Sequence, residues 1–90
     1  MVNSNRVLEV EMQNDNLLSR IVTDAQVCGG QPCIRGTRIL VSTILDGIVE
    51  GLSTEQLIDH YPSLRPDDIR AAVAYGAELA RENIWKVNVR

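Results

Sequence analysis

The sequence predicts a small, mainly helical domain in which three helices follow a few short strands. Three observations support this. Apolar residues recur at helical spacing from Ile44 onward, and helix-start and helix-stop residues divide this half of the chain into three segments. Hydrophobic residues make up 44% of the 90 residues, with only one Trp and two Tyr, so the core is expected to be aliphatic. We divide the chain into an N-terminal extension (1–19), a three-helix domain with a β-hairpin (20–82) and a C-terminal tail (83–90).

Two short strands are predicted before the helices. In residues 7–12, VLEVEM, apolar residues alternate with Glu9 and Glu11, which is typical of a half-buried strand. Residues 20–22, RIV, predict a second short strand that ends at the turn-prone Thr23-Asp24.

A β-hairpin is predicted within the segment GGQPCIRGTR, residues 29–38. Gly36-Thr37 suits the centre of a two-residue type II′ turn, because glycine adopts positive φ without strain. In that geometry Arg35 and Arg38 lie opposite each other on one side of the ribbon. Two like charges in that arrangement are destabilising unless an acidic group lies between them. The hairpin therefore predicts an anionic partner, either a side chain of this protein (Asp24, Asp46, Glu50 or Asp68) or a foreign ligand.

Three helices follow the hairpin. The first is predicted to begin after Ser42 as N-cap and to end at Gly51. Ser53 and Gln56 match a capping box that opens a second helix, which continues to about His60. The third is predicted over residues 66–82, because Pro66 suits a first helical position and acidic residues follow it.

The tail NIWKVNVR alternates again, with Trp85, Val87 and Val89 on one side. An unpaired strand that carries Trp is a poor surface for a monomer. The pattern therefore predicts that the tail pairs with residues 7–12, with a second copy in a homodimer, or with a partner protein.

Several classes of function have little support in the sequence. Cys28 and Cys33 with the single His60 are too few for a zinc site, so no metal or cofactor is expected. There is no nucleophile with a positioned base and no phosphate loop, so the chain is not expected to be an enzyme. No apolar run is long enough to span a membrane, and no secretory signal opens the chain, so a cytoplasmic location is expected.

The order of motifs over residues 20–82 resembles the small prokaryotic proteins known as domain of unknown function 433. The resemblance is carried by Gly30, Pro32, IRGTR (34–38), GLS (51–53), YPSL (61–64) and PDDI (66–69). It implies a homeodomain-like or winged-helix-like bundle of three helices. It also implies an antitoxin-like protein, since such members often resemble antitoxins encoded beside nucleases of the PIN type. The chain departs from the family pattern at Arg65, where a Ser or Thr helix cap is expected.

Two classes of partner remain open at this stage. Helices two and three have helix-turn-helix spacing, which would present Arg65 and Arg70 to DNA beside two aspartates. The candidate contacts for DNA or another anionic partner are Arg35, Thr37, Arg38, Arg65 and Arg70. The candidate contacts for a nuclease partner are Trp85, Val87 and Val89. The favoured function is an antitoxin-like protein that restrains a PIN-type nuclease and represses its own operon. The alternatives are a DNA-binding regulator without a protein target, or a structural oligomer.

Overall fold

The fold is mainly helical, with a two-stranded antiparallel sheet packed against three α-helices. A computed structural model describes residues 16–82. The elements are two strands, β1 (Ile21–Val22) and β2 (Cys33–Ile34), and three helices, α1 (Val41–Val49), α2 (Thr54–His60) and α3 (Pro66–Glu82). Two further short helical turns cover residues 16–18 and, as a 3-10 helix, Cys28–Gly30. The strands predicted at residues 7–12 and in the tail lie outside the described residues.

The sheet joins residues that are separated by a ten-residue loop. Ile21 pairs with Ile34 and Val22 with Cys33. Within the loop, Cys28 has a φ of 54°, which is uncommon for a residue other than glycine. The sheet places β2 at the centre of the domain, where Cys33 and Ile34 are almost completely buried.

The predicted hairpin after β2 exists, but its turn lies one residue earlier than expected. Cys33 bridges Leu40, as the predicted register requires. However, Thr37 N donates to Ile34 O at 3.0 Å, so Arg35 and Gly36 are the central residues of the turn. Gly36 has a φ of 81°, which a type II turn requires at its third position. The prediction of a II′ turn centred on Gly36-Thr37 was therefore wrong, because glycine supplies the positive φ at the third position of the turn and not at the second.

Helix α1 begins earlier than predicted and ends where predicted. Leu40 is its N-cap and makes no side-chain cap, so the assignment of Ser42 to that position was wrong. At its end, Gly51 has a φ of 97°. Leu52 N donates to Gly47 O and Gly51 N to Ile48 O, which together form a Schellman motif.

Hydrogen bonds between side chains and backbone N–H groups cap the starts of α2 and α3. Ser53 and Gln56 form the predicted capping box, with each side chain bonded to the backbone N–H of the other residue. At α3, the N-cap is Arg65, and its backbone N–H donates to the carboxylate of Asp68 at 2.9 Å. Half of a capping box thus replaces the missing Ser or Thr, and α3 begins at Pro66 as predicted.

The core lies where β2 and the three helices meet. It is aliphatic as the composition predicts, and its buried members are Ile34, Val41, Ile44, Leu57, Leu64, Ile69 and Ala72. α1 and α3 pack against each other at Gly76, where an added Cβ would lie at an ordinary contact distance of 3.4 Å from Leu45 Cδ1. Of the other small residues of α3, Ala71 and Ala72 are fully buried, whereas Ala80 is exposed.

Candidate functional site: an arginine groove at the start of helix α3

A groove of about 840 Å³ lies where the residues before β1, the turn after β2 and the start of α3 meet. Four arginines line it: Arg20, Arg35, Arg65 and Arg70. Two aspartates, Asp67 and Asp68, also line it. We call this site the arginine groove. Its charged residues leave a formal excess of two positive charges in a chain whose net charge is −3.

Asp68 is the one buried charged residue in the described part of the chain. One carboxylate oxygen accepts from Arg20 Nη1 at 2.9 Å, and the other accepts from the backbone N–H of Arg65 at 2.9 Å. The carboxylate therefore links the segment before β1 to the start of α3. Both oxygens of this buried carboxylate already accept hydrogen bonds, so they are not available to a ligand, although the negative charge still lowers the positive potential of the groove.

Asp67 lies at the surface of the groove. Its side chain is half exposed and pairs with Arg70 at 3.2 Å and with Arg20 at 3.7 Å. Such exposed pairs are weak, about 0 to 1 kcal/mol, and they exchange easily for another anion. Arg70 can therefore leave Asp67 for a phosphate or a carboxylate at little cost.

Arg35 has an internal partner, but that partner is not an acid. Its Nε and Nη2 both donate to the carbonyl oxygen of Ser19, at 3.0 and 2.9 Å, and its backbone N–H donates to Arg20 O. The side chain therefore fixes the turn against the segment before β1. Because a carbonyl does not neutralise the guanidinium, its positive charge still contributes to the groove.

Of the two remaining predicted contacts, Thr37 lines the groove and Arg38 does not. Thr37 Oγ1 donates to Ile34 O and accepts from Ile39 N, so its hydroxyl holds the turn together. Arg38 is exposed, does not line the groove, and acts electrostatically on Cys33 instead. Arg35 and Arg38 therefore do not bind a shared partner between them.

Arg65 is the most accessible cation of the site by its contacts. Its residue is exposed, and within residues 16–82 its guanidinium takes part in no ion pair or hydrogen bond. Together with Arg70, which is also exposed, it lines the groove near the N-terminus of α3, the positive end of the helix dipole. Both residues were predicted contacts, and the structure brings them together with Arg35.

Arg20 is a site residue that the sequence reasoning missed. It lies in a predicted strand, 48 positions from Asp68. Asp68 was considered as an internal partner of Arg35 or Arg38, and Arg20 was not considered. Trp85, Val87 and Val89 lie outside the described residues, so the candidate nuclease contacts stay predictions.

A second groove, of about 590 Å³, lies beside the first and is largely apolar. Its walls come from α1, α2 and α3, and its apolar lining includes Leu17, Ile48, Leu52, Leu57, Ile69 and Val73. Ile48 and Val73 are exposed there. Val73 lies at the rim of this apolar groove.

The two cysteines are free thiols. Burial raises the pKa of the Cys33 thiol above its ordinary value of 9.0, with a smaller contribution from Cys28. Within the described residues, no three His, Cys, Asp or Glu side chains are grouped so that they could hold a metal ion. In the same part of the chain, no helix is long and apolar enough to cross a membrane.

A family model and a solved structure identify the same family for this chain. The model of the family described as "Protein of unknown function (DUF433)" matches residues 21–76. The uncharacterized protein y4eO of Sinorhizobium fredii (strain NBRC 101917 / NGR234) is 33% identical over 55 residues, which are 61% of this chain and 25% of that protein. The chain thus spans about a quarter of the length of that relative. The crystal structure of a DUF433 member protein from Anabaena variabilis ATCC 29413 at 2.00 Å resolution has a TM-score of 0.60 and 30% identity, over 98% of this chain and 95% of that chain.

Proposed function

Since this chain belongs to the DUF433 family of proteins of unknown function, we propose its function from its own site: an antitoxin-like protein that binds DNA through the arginine groove. The observation that carries the proposal is the convergence of four arginines from three separate parts of the fold on one open groove. In this proposal the protein is not an enzyme and acts in the cytoplasm, where it represses its own operon as a homodimer.

The chemistry of the groove suits a phosphate backbone. Arginine presents a planar set of N–H donors that matches phosphate oxygens, and such contacts provide most of the affinity for DNA. The exposed residues Arg65 and Arg70 offer two such groups, and Arg35 adds a third positive charge to the groove. Residues 39–64 contain four acidic residues and no Lys or Arg, and of this segment only Ser63 lines the groove, so these four negative charges lie outside its lining.

Helices α2 and α3 suit a helix-turn-helix arrangement. The turn between them, residues 61–65, is anchored by buried Leu64, and α3 starts with its exposed cations Arg65 and Arg70. Asp67 and Asp68 at its start argue against extensive reading of base edges, although a carboxylate can accept from cytosine. We therefore propose that α3 approaches DNA with its first turn and that phosphate contacts dominate.

A second proposed activity is restraint of a PIN-type nuclease by residues 83–90. Its support is the alternation of Trp85, Val87 and Val89 with polar residues, which suits addition of a strand to a partner's sheet. The class of partner, a PIN-type nuclease, is taken from the resemblance of family members to antitoxins. Loss of the tail would remove this activity and leave the arginine groove intact.

DNA binding is tested by fluorescence anisotropy with a labelled 24-base-pair duplex at several salt concentrations. We expect Arg65→Ala and Arg70→Ala each to weaken binding and to lower the salt exponent by about 0.9 for each phosphate that is no longer neutralised. Arg81→Ala is the matched control: Arg81 also lies on α3, pairs with an acid three residues away, and is 60% exposed against 62% for Arg70. Equal effects of all three substitutions would reject the groove as the DNA site.

The nuclease partner is tested by co-purification from the source cell with the full chain and with a chain truncated after Asn83. A small nuclease that is retained by the full chain and absent with the truncated one supports the antitoxin function. Recovery of DNA by both chains with no protein partner would replace it with a DNA-binding regulator. Light scattering on the same samples checks the proposed homodimer.

A further inference from the structure

The arginine groove and the apolar groove share a border. Leu17 and Arg70 line both grooves, so a basic surface and an apolar surface meet along these two side chains. On the apolar side, the large aliphatic residues Ile48 and Val73 are exposed. Basic and apolar surfaces that adjoin in this way fit a ligand that carries acidic and apolar groups side by side.

A nucleic-acid backbone uses only the basic part of this surface. Its phosphates pair with guanidinium groups, whereas exposed Ile48 and Val73 offer no hydrogen bond or charge to a phosphate. Contiguous exposed apolar residues on a protein are typical of surfaces that bind another protein. The apolar groove therefore indicates a protein partner, and the arginines beside it require that this partner be acidic.

The arrangement of the two grooves favours a helix over a strand as the ligand. Alternate side chains of a strand point in opposite directions, so alternating acidic and apolar residues cannot both face one protein surface. Successive side chains of an α-helix are about 100° apart, so an apolar stripe and an acidic flank lie next to each other. A helix along the border therefore directs apolar side chains into one groove and carboxylates towards the other.

Arg65 and Arg70 supply the contacts for such carboxylates. Both residues are exposed, and within residues 16–82 the guanidinium of Arg65 takes part in no ion pair. Arg70 pairs at 3.2 Å with half-exposed Asp67, a pair that another carboxylate replaces at little cost. Arginine also binds a carboxylate through two parallel hydrogen bonds, which fixes the orientation of the ligand.

We propose that an acidic amphipathic helix of a partner protein binds along this border, with its apolar stripe in the apolar groove and its carboxylates on Arg65 and Arg70. The surface is inferred from the two grooves and does not rest on the proposed DNA binding. Because both ligands use the same two arginines, the partner helix and DNA exclude each other.

The proposal is tested by fluorescence anisotropy of the full chain with a labelled 16-residue helical peptide that has Leu along one stripe and Glu on the adjacent flank. One control peptide has Gln in place of each Glu, and the other has Ala in place of each Leu. We expect the acidic amphipathic peptide to bind about tenfold or more tightly than either control, because each control loses one of the two grooves. Equal binding of either control, or no binding of the acidic amphipathic peptide, would overturn the proposal.

Two valine variants test whether the apolar groove holds the peptide. Val73→Ala should weaken peptide binding about threefold or more and leave binding of the 24-base-pair duplex unchanged, because only the peptide uses the apolar side. Val49→Ala is the matched control, since Val49 is more exposed than Val73, 84% against 48%, but lines neither groove. Equal peptide affinities of the two variants would remove the apolar groove from the contact and overturn the proposal.

The remaining results separate this proposal from a second copy and from DNA binding. Without peptide, we expect the NMR methyl signals of Ile48 and Val73 to be independent of protein concentration. Signals that shift with concentration would assign the apolar groove to a second copy and overturn the proposal. If the peptide binds and the duplex does not, the proposed DNA binding fails and the helix-binding surface stands. If the duplex binds and the peptide does not, the helix-binding surface fails and DNA binding stands.

Discussion

Replacement of Asp68 by Asn tests both the structure and the proposed function, because it should lower the stability of the protein and raise its affinity for DNA. Asp68 accepts two hydrogen bonds, from Arg20 and from the N–H of Arg65, and its side chain is only 8% exposed. Asn has only one oxygen, so it can accept from Arg20 or from the N–H of Arg65 but not from both. Its NH₂ group then faces the other donor, and that hydrogen bond is lost. The protein should become less stable while the groove gains positive charge.

The size of the stability loss follows from the contacts. A hydrogen bond to a charged group contributes about 1.5 to 3 kcal/mol, and the charge of an acid at a helix N-terminus adds about 0.3 to 1 kcal/mol. Arg20 is one-third exposed, so solvent weakens its part and the lower half of the range applies. We expect a loss of about 2 to 3 kcal/mol in the free energy of unfolding, which lowers Tm by about 10 to 20 °C in a domain of this size.

Asp67→Asn is the matched control for this prediction. It removes the same unit of charge from the same groove, but Asp67 is half exposed and its two ion pairs are at the surface. We expect Asp67→Asn to lower the free energy of unfolding by less than about 1 kcal/mol. Both variants should bind the duplex more tightly, by up to about eightfold at 0.1 M salt, because the removed charge corresponds to at most one phosphate contact.

The assay combines thermal unfolding, followed by circular dichroism, with anisotropy at a temperature where both variants are folded. Equal Tm values for the two variants would refute the role given to the buried Asp68 carboxylate. Weaker DNA binding by Asp67→Asn would show that this aspartate contacts the ligand, and it would refute the account of the groove as a phosphate site.

Three further predictions concern the stability of the fold, each checked by denaturant or thermal unfolding. Gly47→Ala should lower the free energy of unfolding by about 1 kcal/mol, because the new Cβ would lie 2.7 Å from Cδ2 of buried Leu57. Gly76→Ala meets only a 3.4 Å contact and should raise the free energy of unfolding by up to about 1 kcal/mol. A change of the same sign in both variants would contradict the packing described. Thr37→Val removes both hydrogen bonds of the hydroxyl and should cost about 1 to 2 kcal/mol, while Thr37→Ser, which keeps them, costs less. The folded state raises the pKa of Cys33, so the neutral thiol contributes to the free energy of unfolding in full below pH 9.0, and this contribution is lost as pH rises through the higher folded pKa. The free energy of unfolding should therefore fall less steeply with alkaline pH in Cys33→Ala than in the parent.

Features that depend on near neighbours along the chain could be predicted from the amino-acid sequence. Ser53 and Gln56 fixed the start of α2, Gly51 the end of α1, and Pro66 the start of α3, since each acts on backbone groups within a few residues. The aliphatic core followed from composition and helical spacing. Ser42 failed as a cap because an N-cap depends on the conformation of its own backbone, and that backbone is already helical.

Which charges meet was set by the tertiary packing alone. Arg20 binds Asp68 across 48 positions, and Arg35 binds the carbonyl of Ser19 across 16, so neither partner is visible in a local pattern. The shift of the turn by one residue separated Arg35 from Arg38 and directed one of them to the groove. The packing of the whole core decides which acids and carbonyl oxygens come close to each arginine. Because an arginine side chain is long and flexible, it then binds whichever of these groups lies within its reach.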